Sequence, residues 1–397
     1  MTSTTALPRA LSGIRVLDFS LMIAGPYCAR LMADLGAEVI KIESPEGDDM
    51  RQRQPLRDGF STYFGQLNAG KQSLVLDLKT PEGVAIVKRL VLQADVVLEN
   101  FRPGVMERLG LGATVLRAIN PQLVYCAISG YGQSGPLADK PAYAMVVQAA
   151  SGFEGLLAKY AGDRKNPAPT ATFVADLLGA VYAFGGIQAA LLQRARTGLG
   201  QEVDVALMDC MLNLLIYELQ AAQFPVKATR TAYGPVAASD GHVIIVPLTQ
   251  RNFHNLCDAT QLSTLRDDPR FASVPTRSEH WATMMQTVQG WASTRTVAQV
   301  VEIMEAAGVP CAAYSEPGDA LTNEHLLARG LFAPVEDGAG QFTGVNAPWQ
   351  MSGSATRLGA AVPTLGQHTH QLLQTLLGMQ GDELERLQNM GVLGANE

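Results

Sequence analysis

Residues 171–181 read ATFVADLLGAV, and Asp176 is the only charged residue between Ala171 and Leu192. An unpaired carboxylate buried in such a run costs on the order of several kcal/mol. Asp176 therefore either lines a cleft or serves as a structural cap. All six histidines (His242, His254, His280, His325, His368, His370) follow residue 241. A Ser-His-Asp or Cys-His site cannot then be built on the first half alone. His368 and His370 are spaced for one face of a strand, but no cysteine or carboxylate clusters with them, and they read as solvated tail residues rather than metal ligands. The five cysteines (Cys28, Cys126, Cys210, Cys257, Cys311) are scattered and odd in number, with no CxxC pair. Neither a disulfide framework nor a zinc site is indicated, and a reducing cytoplasm fits.

Two further chemistries lack their signatures. No GxGxxG follows the first strand, where a nicotinamide cofactor needs its tight turn, and no GxxxxGK[ST] is present. Amides and positive charge do gather after the strands: Asn68 and Lys71 in NAGKQS, Asn100, Arg102 and Arg108 in ENFRPGVMERLG, and Lys140 in DKPAY. A lone Lys or Arg is usually a solvated surface charge, but several just after strands could hold a polyanion such as a phosphorylated nucleotide.

The elements that must position these groups alternate. IRVLDFS, AEVIKIES, SLVLDLKT, DVVLEN and LVYCAIS read as strands, separated by helical PYCARLMADLG, EGVAIVKRLVLQA and the stretch near VLRAI. Such βαβ alternation predicts a parallel sheet with helices on both faces and ligands beyond the carboxyl ends of the strands. GLGQEVDVALMDCMLNLLIYELQAAQF then predicts a strand and one long helix. The expected layout is a large α/β body over 1–224, a small α+β domain over 225–333, and a segment 334–397 returning to the body through a final helix, QLLQTLLGMQGDELERL.

The chain has 397 residues, 47% hydrophobic and 17% charged, enough to bury a core in two domains. A net charge of −7 argues against nonspecific nucleic-acid binding. The apolar run from Ala171 carries Asp176, Gln188 and glycines, which argues against a membrane span. MTSTTALPRALSG lacks a secretory pattern and reads as a short tail.

LSGIRVLDFS, LMADLGAEVIKIES, NAGKQSLVLDLKTPEG, DVVLENFRPGVMERLGLG, NPQLVYCAISGYGQSGP and GLGQEVDVALMD together resemble the class III CoA-transferases, also called the CaiB/BaiF or formyl-CoA transferase family. The resemblance implies an interlocked ring-shaped homodimer with a Rossmann-like large domain. It implies that Asp176, followed three residues later by Gly179, is the nucleophile of an acyl-CoA:carboxylate CoA-transferase, with Gly179 admitting the thioester and amides near it or on the facing loop holding the oxyanion. Coenzyme A is then a thioester substrate rather than a resident cofactor, exchanged between a donor and an acceptor acid. Matching positions imply CoA contacts at Ile23, Ala24, Asn68, Lys71, Asn100, Phe101, Arg102 and Arg108, with Tyr143 near the reacting centre.

Three positions depart from the family pattern. Ser44 stands where the formyl enzyme has an arginine, so Arg51 or Arg53 would have to substitute. Ala144 replaces a common acidic residue. The glycine-rich lid is absent from TAYGPVAASDG. Racemases of the same family need a histidine-aspartate pair at Tyr143 and Ala144, which this chain lacks. A racemase-like epimerase and a noncatalytic CoA-binding protein are the alternatives. Tyr143, Ala144 and Tyr233 suggest a small dicarboxylate such as succinate, itaconate or mesaconate.

Overall fold

The computed structural model describes residues 8–162, 166–224 and 232–394. The expected N-terminal tail and the expected start of the second domain at 225 lie outside or at the edge of these residues. The chain divides into two compact units. The described part of the first spans 8–158, 166–216 and 324–394, and that of the second 159–162, 217–224 and 232–323. The units thus change at 216 and 323 rather than at 224 and 333.

Six strands form the sheet of the first unit: β1 Arg15–Asp18, β2 Glu38–Glu43, β3 Gln72–Val75, β4 Val96–Glu99, β5 Val124–Ser129 and β6 Glu202–Ala206. Their order is β3-β2-β1-β4-β5-β6, and every pair is parallel. This is the doubly wound order, in which the chain reverses direction across the sheet between β1 and β4. The helices of this unit include α1 Ala24–Asp34, α2 Thr62–Asn68, α3 Pro81–Val91, α4 Ala113–Ile119, α5 Ala144–Ala150, α6 Val174–Thr197 and α7 Leu207–Leu214.

Strand residues alternate between two cores, as a sheet covered on both faces requires. Val16, Val96, Leu98, Val124, Cys126 and Ile128 pack with α1, α5, α6 and α7. Leu17, Ile40, Ile42, Val97, Tyr125 and Ala127 pack with α3, α4 and the C-terminal helices. By length and composition α6 could cross a membrane. One side of it, however, is short side chains (Ala175, Gly179, Ala180, Ala183, Ala190) plus Ile187 and Leu191, all buried in the first core.

Two helices predicted as continuous are broken. The helix after β6 ends at Leu214 and resumes at Ile216 as the chain passes from one unit to the other. The C-terminal helix is two helices, Thr369–Leu377 and Gly381–Asn389. Gly378 stops the first by turning left-handed (φ +65°), and the following N–H of Met379 returns to the Leu373 carbonyl.

The segment before that break covers the outer edge of β3. Ser73 N–H donates to His368 Nδ1 at 3.2 Å, His368 N–H to the Ser73 carbonyl at 3.0 Å, and Val75 N–H to Thr369 Oγ1 at 3.0 Å. An open edge strand is thereby paired. His368 and His370 are accordingly not solvated tail residues: His368 accepts from the edge strand, and His370 Nε2 lies 3.2 Å from Gln388 Oε1.

The first unit also holds an antiparallel hairpin, Phe332–Asp337 with Gly340–Val345, whose Val335 and Phe342 pack against Ala69 at the end of α2. The second unit has a three-stranded antiparallel sheet of Val236–Ala237, His242–Ile245 and Cys311–Ala313. Its helices bury Phe253, Leu256, Met284, Val288, Val300 and Met304 against Val243 and Ile245. Tyr233 stands edge-on to Trp281 in this unit, at 5.2 Å between ring centroids.

Under the carboxyl ends of β1 to β3 lies a sealed ionic network. Lys71 Nζ donates to Asp18 Oδ2 at 2.8 Å, the Pro26 carbonyl at 2.9 Å and Asn68 Oδ1 at 2.9 Å. Both Lys71 and Asp18 side chains are fully buried. Removing one member of such a pair leaves an unpaired buried charge. Lys71→Met should therefore lose about 3–5 kcal/mol of stability in urea unfolding, and adding Asp18→Asn should recover part of it. A loss of under about 1 kcal/mol in the single variant would show that the pair does not hold the fold.

Candidate active site

The loop after β1 and the loop after β4 flank the point where the strand order reverses, which is where open α/β sheets bind ligands. The first loop is held from several directions. Lys41 Nζ donates to the Ser20 carbonyl at 2.8 Å and to Asp48 Oδ2 at 3.0 Å. Asp18 Oδ1 accepts from the Ser20 N–H at 3.0 Å and also from its hydroxyl. Asn100, just past β4, clasps Leu21 through both its N–H and its carbonyl, each at 2.8 Å. Met22 is left in the left-handed region at φ +64°. Gly25 is required here because a Cβ would stand 2.1 Å from Ser20 Cβ.

The electrostatics are a contest of burial against pairing. Burial pushes the Asp18 carboxyl up, but Lys71 and Lys41 outweigh it and hold Asp18 below the usual range. Burial pulls the Lys71 ammonium down to about 8 against the opposing pull of Asp18. Lys41 is held above its ordinary value because Asp48, Asp18 and Glu43 outweigh its burial.

These interactions engage part of the expected CoA-binding set. The side chains of Asn68, Lys71 and Asn100 are turned inward and hydrogen-bonded to protein, where they help to build the loops. Ile23 and Ala24 are buried at the start of α1. Among the described residues the N–H groups of Ala24 and Gly25 meet no acceptor. Phe101 is half-buried against the second core, and its N–H donates to Glu99 Oε2 at 2.8 Å. Arg102 and Arg108 are exposed. Arg51 cannot substitute for the arginine missing at Ser44. It is bidentate to Glu43 at 2.9 and 2.7 Å, donates to the Pro363 carbonyl and lies over the Phe64 ring at 4.1 Å. Arg53 is exposed.

Asp176 is the third residue of α6, not the middle of a buried helix. It is no cap: Phe173 holds the N-cap position without a side-chain bond. Among the described residues the Asp176 carboxylate forms no ion pair. Burial pushes it up to about 6. The positive end of the helix favours an anion at this position, so the ionised form is supported while it is partly dried. The charge of Asp176 adds to burial in raising the Tyr63 phenol, and Tyr63, on α2, packs with Met22 and Tyr27 on the cluster around Ile23. Asp176 and the β1 loop therefore share Tyr63 as a neighbour.

Gly179 does not have the role expected of it. A Cβ there would stand 2.5 Å from Leu207 Cδ2 and 3.6 Å from Ile128 Cγ2, so its missing side chain serves the packing of α6 on the sheet. Its N–H lies inside the helix ladder and cannot serve an oxyanion. The N–H of Asp176 itself meets no acceptor among the described residues, whereas Ala175 N–H donates to Gln148 Oε1 at 3.2 Å. Tyr143 caps α5 and is 71% exposed, while Ala144 is buried in the first core, where an acidic side chain would have apolar neighbours.

Sequence reasoning missed Tyr63, Gln148 and Glu99. Glu99 had a usable signal, since it is a carboxylate closing the apolar run VVL; burial pushes it up to about 8. Tyr63 and Gln148 sit in stretches with no such mark.

Residues 11–369 match the profile of a family described as CoA-transferase family III. The chain is 35% identical to a succinate–glutarate CoA-transferase of Agrobacterium fabrum, covering 92% of this chain and 95% of the relative. It is also 35% identical to a succinyl-CoA–D-citramalate CoA-transferase of Chloroflexus aurantiacus, covering 97% and 98%. A crystal structure of a CaiB/BaiF family protein from Brucella suis superposes with a TM-score of 0.81 at 32% identity, covering 93% of this chain and all of that one.

Raising the carboxyl pKa above its ordinary 3.8 makes ionised Asp176 a burden on the fold: stability is full below the unfolded value and is lost as pH rises through about 6. Asp176→Asn should therefore be more stable than wild type by about 1–3 kcal/mol at pH 8 and no more stable near pH 4. Equal melting of the two proteins at pH 8 would mean that the carboxylate is fully solvated.

Proposed function

This chain belongs to CoA-transferase family III and is a CoA-transferase, and from that premise we propose that Asp176 is the nucleophile carrying CoA between two short dicarboxylic acids. The observation that supports the reading best is a carboxylate at a helix start, partly dried and without an ion-pair partner among the described residues, in a chain of this family.

The steps balance without an external base. Asp176 Oδ attacks the thioester carbonyl of the donor, the C–S bond breaks, and CoA leaves as thiolate from a mixed anhydride. The thiolate attacks the aspartyl carbonyl, giving an aspartyl-CoA thioester and the free donor acid. The acceptor carboxylate then attacks that thioester to form a second anhydride, and the thiolate attacks the acceptor's acyl carbon. Acyl-CoA departs and Asp176 is restored. Drying raises the basicity of the attacking oxygen, and the free Asp176 N–H at the helix start is a donor for the developing oxyanion.

For CoA itself, the open N–H groups of Ala24 and Gly25 and the exposed Arg102 and Arg108 suit pyrophosphate and phosphate oxygens. Arg53 is the candidate to replace the arginine absent at Ser44. Dicarboxylates are proposed because the relatives in Agrobacterium fabrum and Chloroflexus aurantiacus are named for succinate, glutarate and citramalate. The proposed setting is the cytoplasm.

The proposed assembly is the interlocked homodimer. Its support is the outer stripe of α6, where Phe173, Leu177 and Val181 recur at helical spacing and remain exposed beside Tyr182. Sedimentation should give twice the 42.4 kDa chain mass, and a monomer at micromolar concentration would remove this part of the reading.

Incubation with succinyl-CoA followed by hydroxylamine or borohydride should modify Asp176, and Asp176→Asn should lose at least about 1,000-fold in kcat. The wild-type rate should fall as pH drops below about 6, where the carboxyl takes up its proton. Full turnover by Asp176→Asn, or an unmodified Asp176 in a turning-over enzyme, refutes the assignment.

A further inference from the structure

The start of α6 is poorly supported by its own sequence. Phe173 supplies no capping side chain, Val174 N–H bonds to the Thr172 carbonyl at 2.9 Å, and Leu177 N–H bonds to the Phe173 carbonyl at 3.1 Å. Both partners are chain neighbours, so neither ties the helix start to the rest of the fold. The exception is Ala175 N–H, which donates to Gln148 Oε1 at 3.2 Å. Among the described residues, Gln148 is the only side chain of another element that hydrogen-bonds this first turn.

Gln148 is fully buried, on α5, 27 residues earlier in the chain. Its Nε2 has Met145 Sδ, at 3.7 Å, as a weak acceptor, so the strong bond it makes is the one to Ala175. A buried glutamine is retained where its hydrogen bonds matter, because an apolar residue of similar size would fill the space without leaving polar atoms to satisfy. The residue it holds, Ala175, immediately precedes Asp176.

We propose that Gln148 is a positioning residue for CoA transfer: its amide oxygen pins the first turn of α6 and thereby sets where the Asp176 carboxylate and the free Asp176 N–H point. The inference rests on Asp176 being the nucleophile. Two requirements meet at this turn. The oxygen must reach the thioester carbon, and the adjacent N–H must stay unpaired for the oxyanion. A turn that slid by one hydrogen bond would give the Asp176 N–H an acceptor and swing the carboxylate with it. Gln148 occupies the neighbouring donor and fixes the register. Tyr143 holds the N-cap position of the helix that carries Gln148, so α5 links Tyr143 to the start of the nucleophile's helix.

The test uses Gln148→Leu, which keeps the volume and removes the acceptor, and Gln148→Glu, which keeps an acceptor and adds charge. With succinyl-CoA and glutarate as probes, Gln148→Leu should lose about 10–100-fold in kcat while KM for the thioester changes less than about 3-fold. Gln148→Glu should recover most of kcat at pH 8, with its acidic limb moved to higher pH by the nearby negative charge. Hydroxylamine labelling of Asp176 during turnover should slow in parallel with kcat in Gln148→Leu.

A merely structural role would lower the melting temperature of both variants and leave kcat and the pH profile of the folded fraction at wild-type values; that result overturns the proposal. Should Gln148→Leu not fold, Gln148→Glu decides, and a wild-type acidic limb in that variant counts against it. Absence of labelling in the wild type itself would sink the nucleophile reading instead, whereas labelling at the wild-type rate in Gln148→Leu sinks this inference alone.

Discussion

Two lysines and two aspartates, Lys41, Lys71, Asp18 and Asp48, are buried together beneath the point where the sheet reverses direction. Four charges out of water are tolerable only because each finds an opposite charge and further hydrogen-bond partners, including the Ser20 and Pro26 carbonyls. An apolar core could fill the same space, but it could not fix a loop whose backbone departs from regular structure. The network holds residues 19–23 in a conformation that includes a left-handed Met22, and it delivers α1 with two N–H groups that meet no acceptor among the described residues. The loop's shape comes from the ion pairs rather than from its own residue preferences.

The helix of Asp176 answers a different constraint. A face of alanine and glycine lets it lie close to the sheet, and Leu207 occupies the space that a side chain at position 179 would need. Close packing dries the first turn and lifts the carboxyl to about 6, while the helix end stabilises the anion that remains. The fold gives up some stability at neutral pH to keep an ionised carboxylate there. The outer stripe of the same helix is apolar and exposed, so one element supplies core, candidate nucleophile and candidate interface.

The C-terminal segment closes the assembly of the first unit. Its backbone and side chains pair the edge of β3, and Leu372, Leu373, Leu384 and Leu387 fill the second core. Arg51 connects that segment to β2, through Glu43 and the Pro363 carbonyl. This explains why an arginine that looked free in the sequence is spent on structure.

The sequence by itself determined the six-strand alternation, since short continuous apolar runs and period-3.6 runs are local, and it determined that Asp176 is anomalous, since a lone charge in an apolar run is visible without a fold. Its ordered motifs also carried the family. Only the tertiary structure decided which polar groups are spent on partners within the protein. Asn68, Lys71 and Asn100 have the types and places of ligand-binding groups, yet they are consumed by Phe64, Asp18 and Leu21, partners up to 79 residues away. Gly179 looked like room for substrate and proved to be room for Leu207. Gln148 and Tyr63 gave no sign at all. The physical reason is the same in each case: a hydrogen bond or a close packing contact is settled by which side chains the fold brings within about 3–4 Å, and that pairing has no signature along the chain.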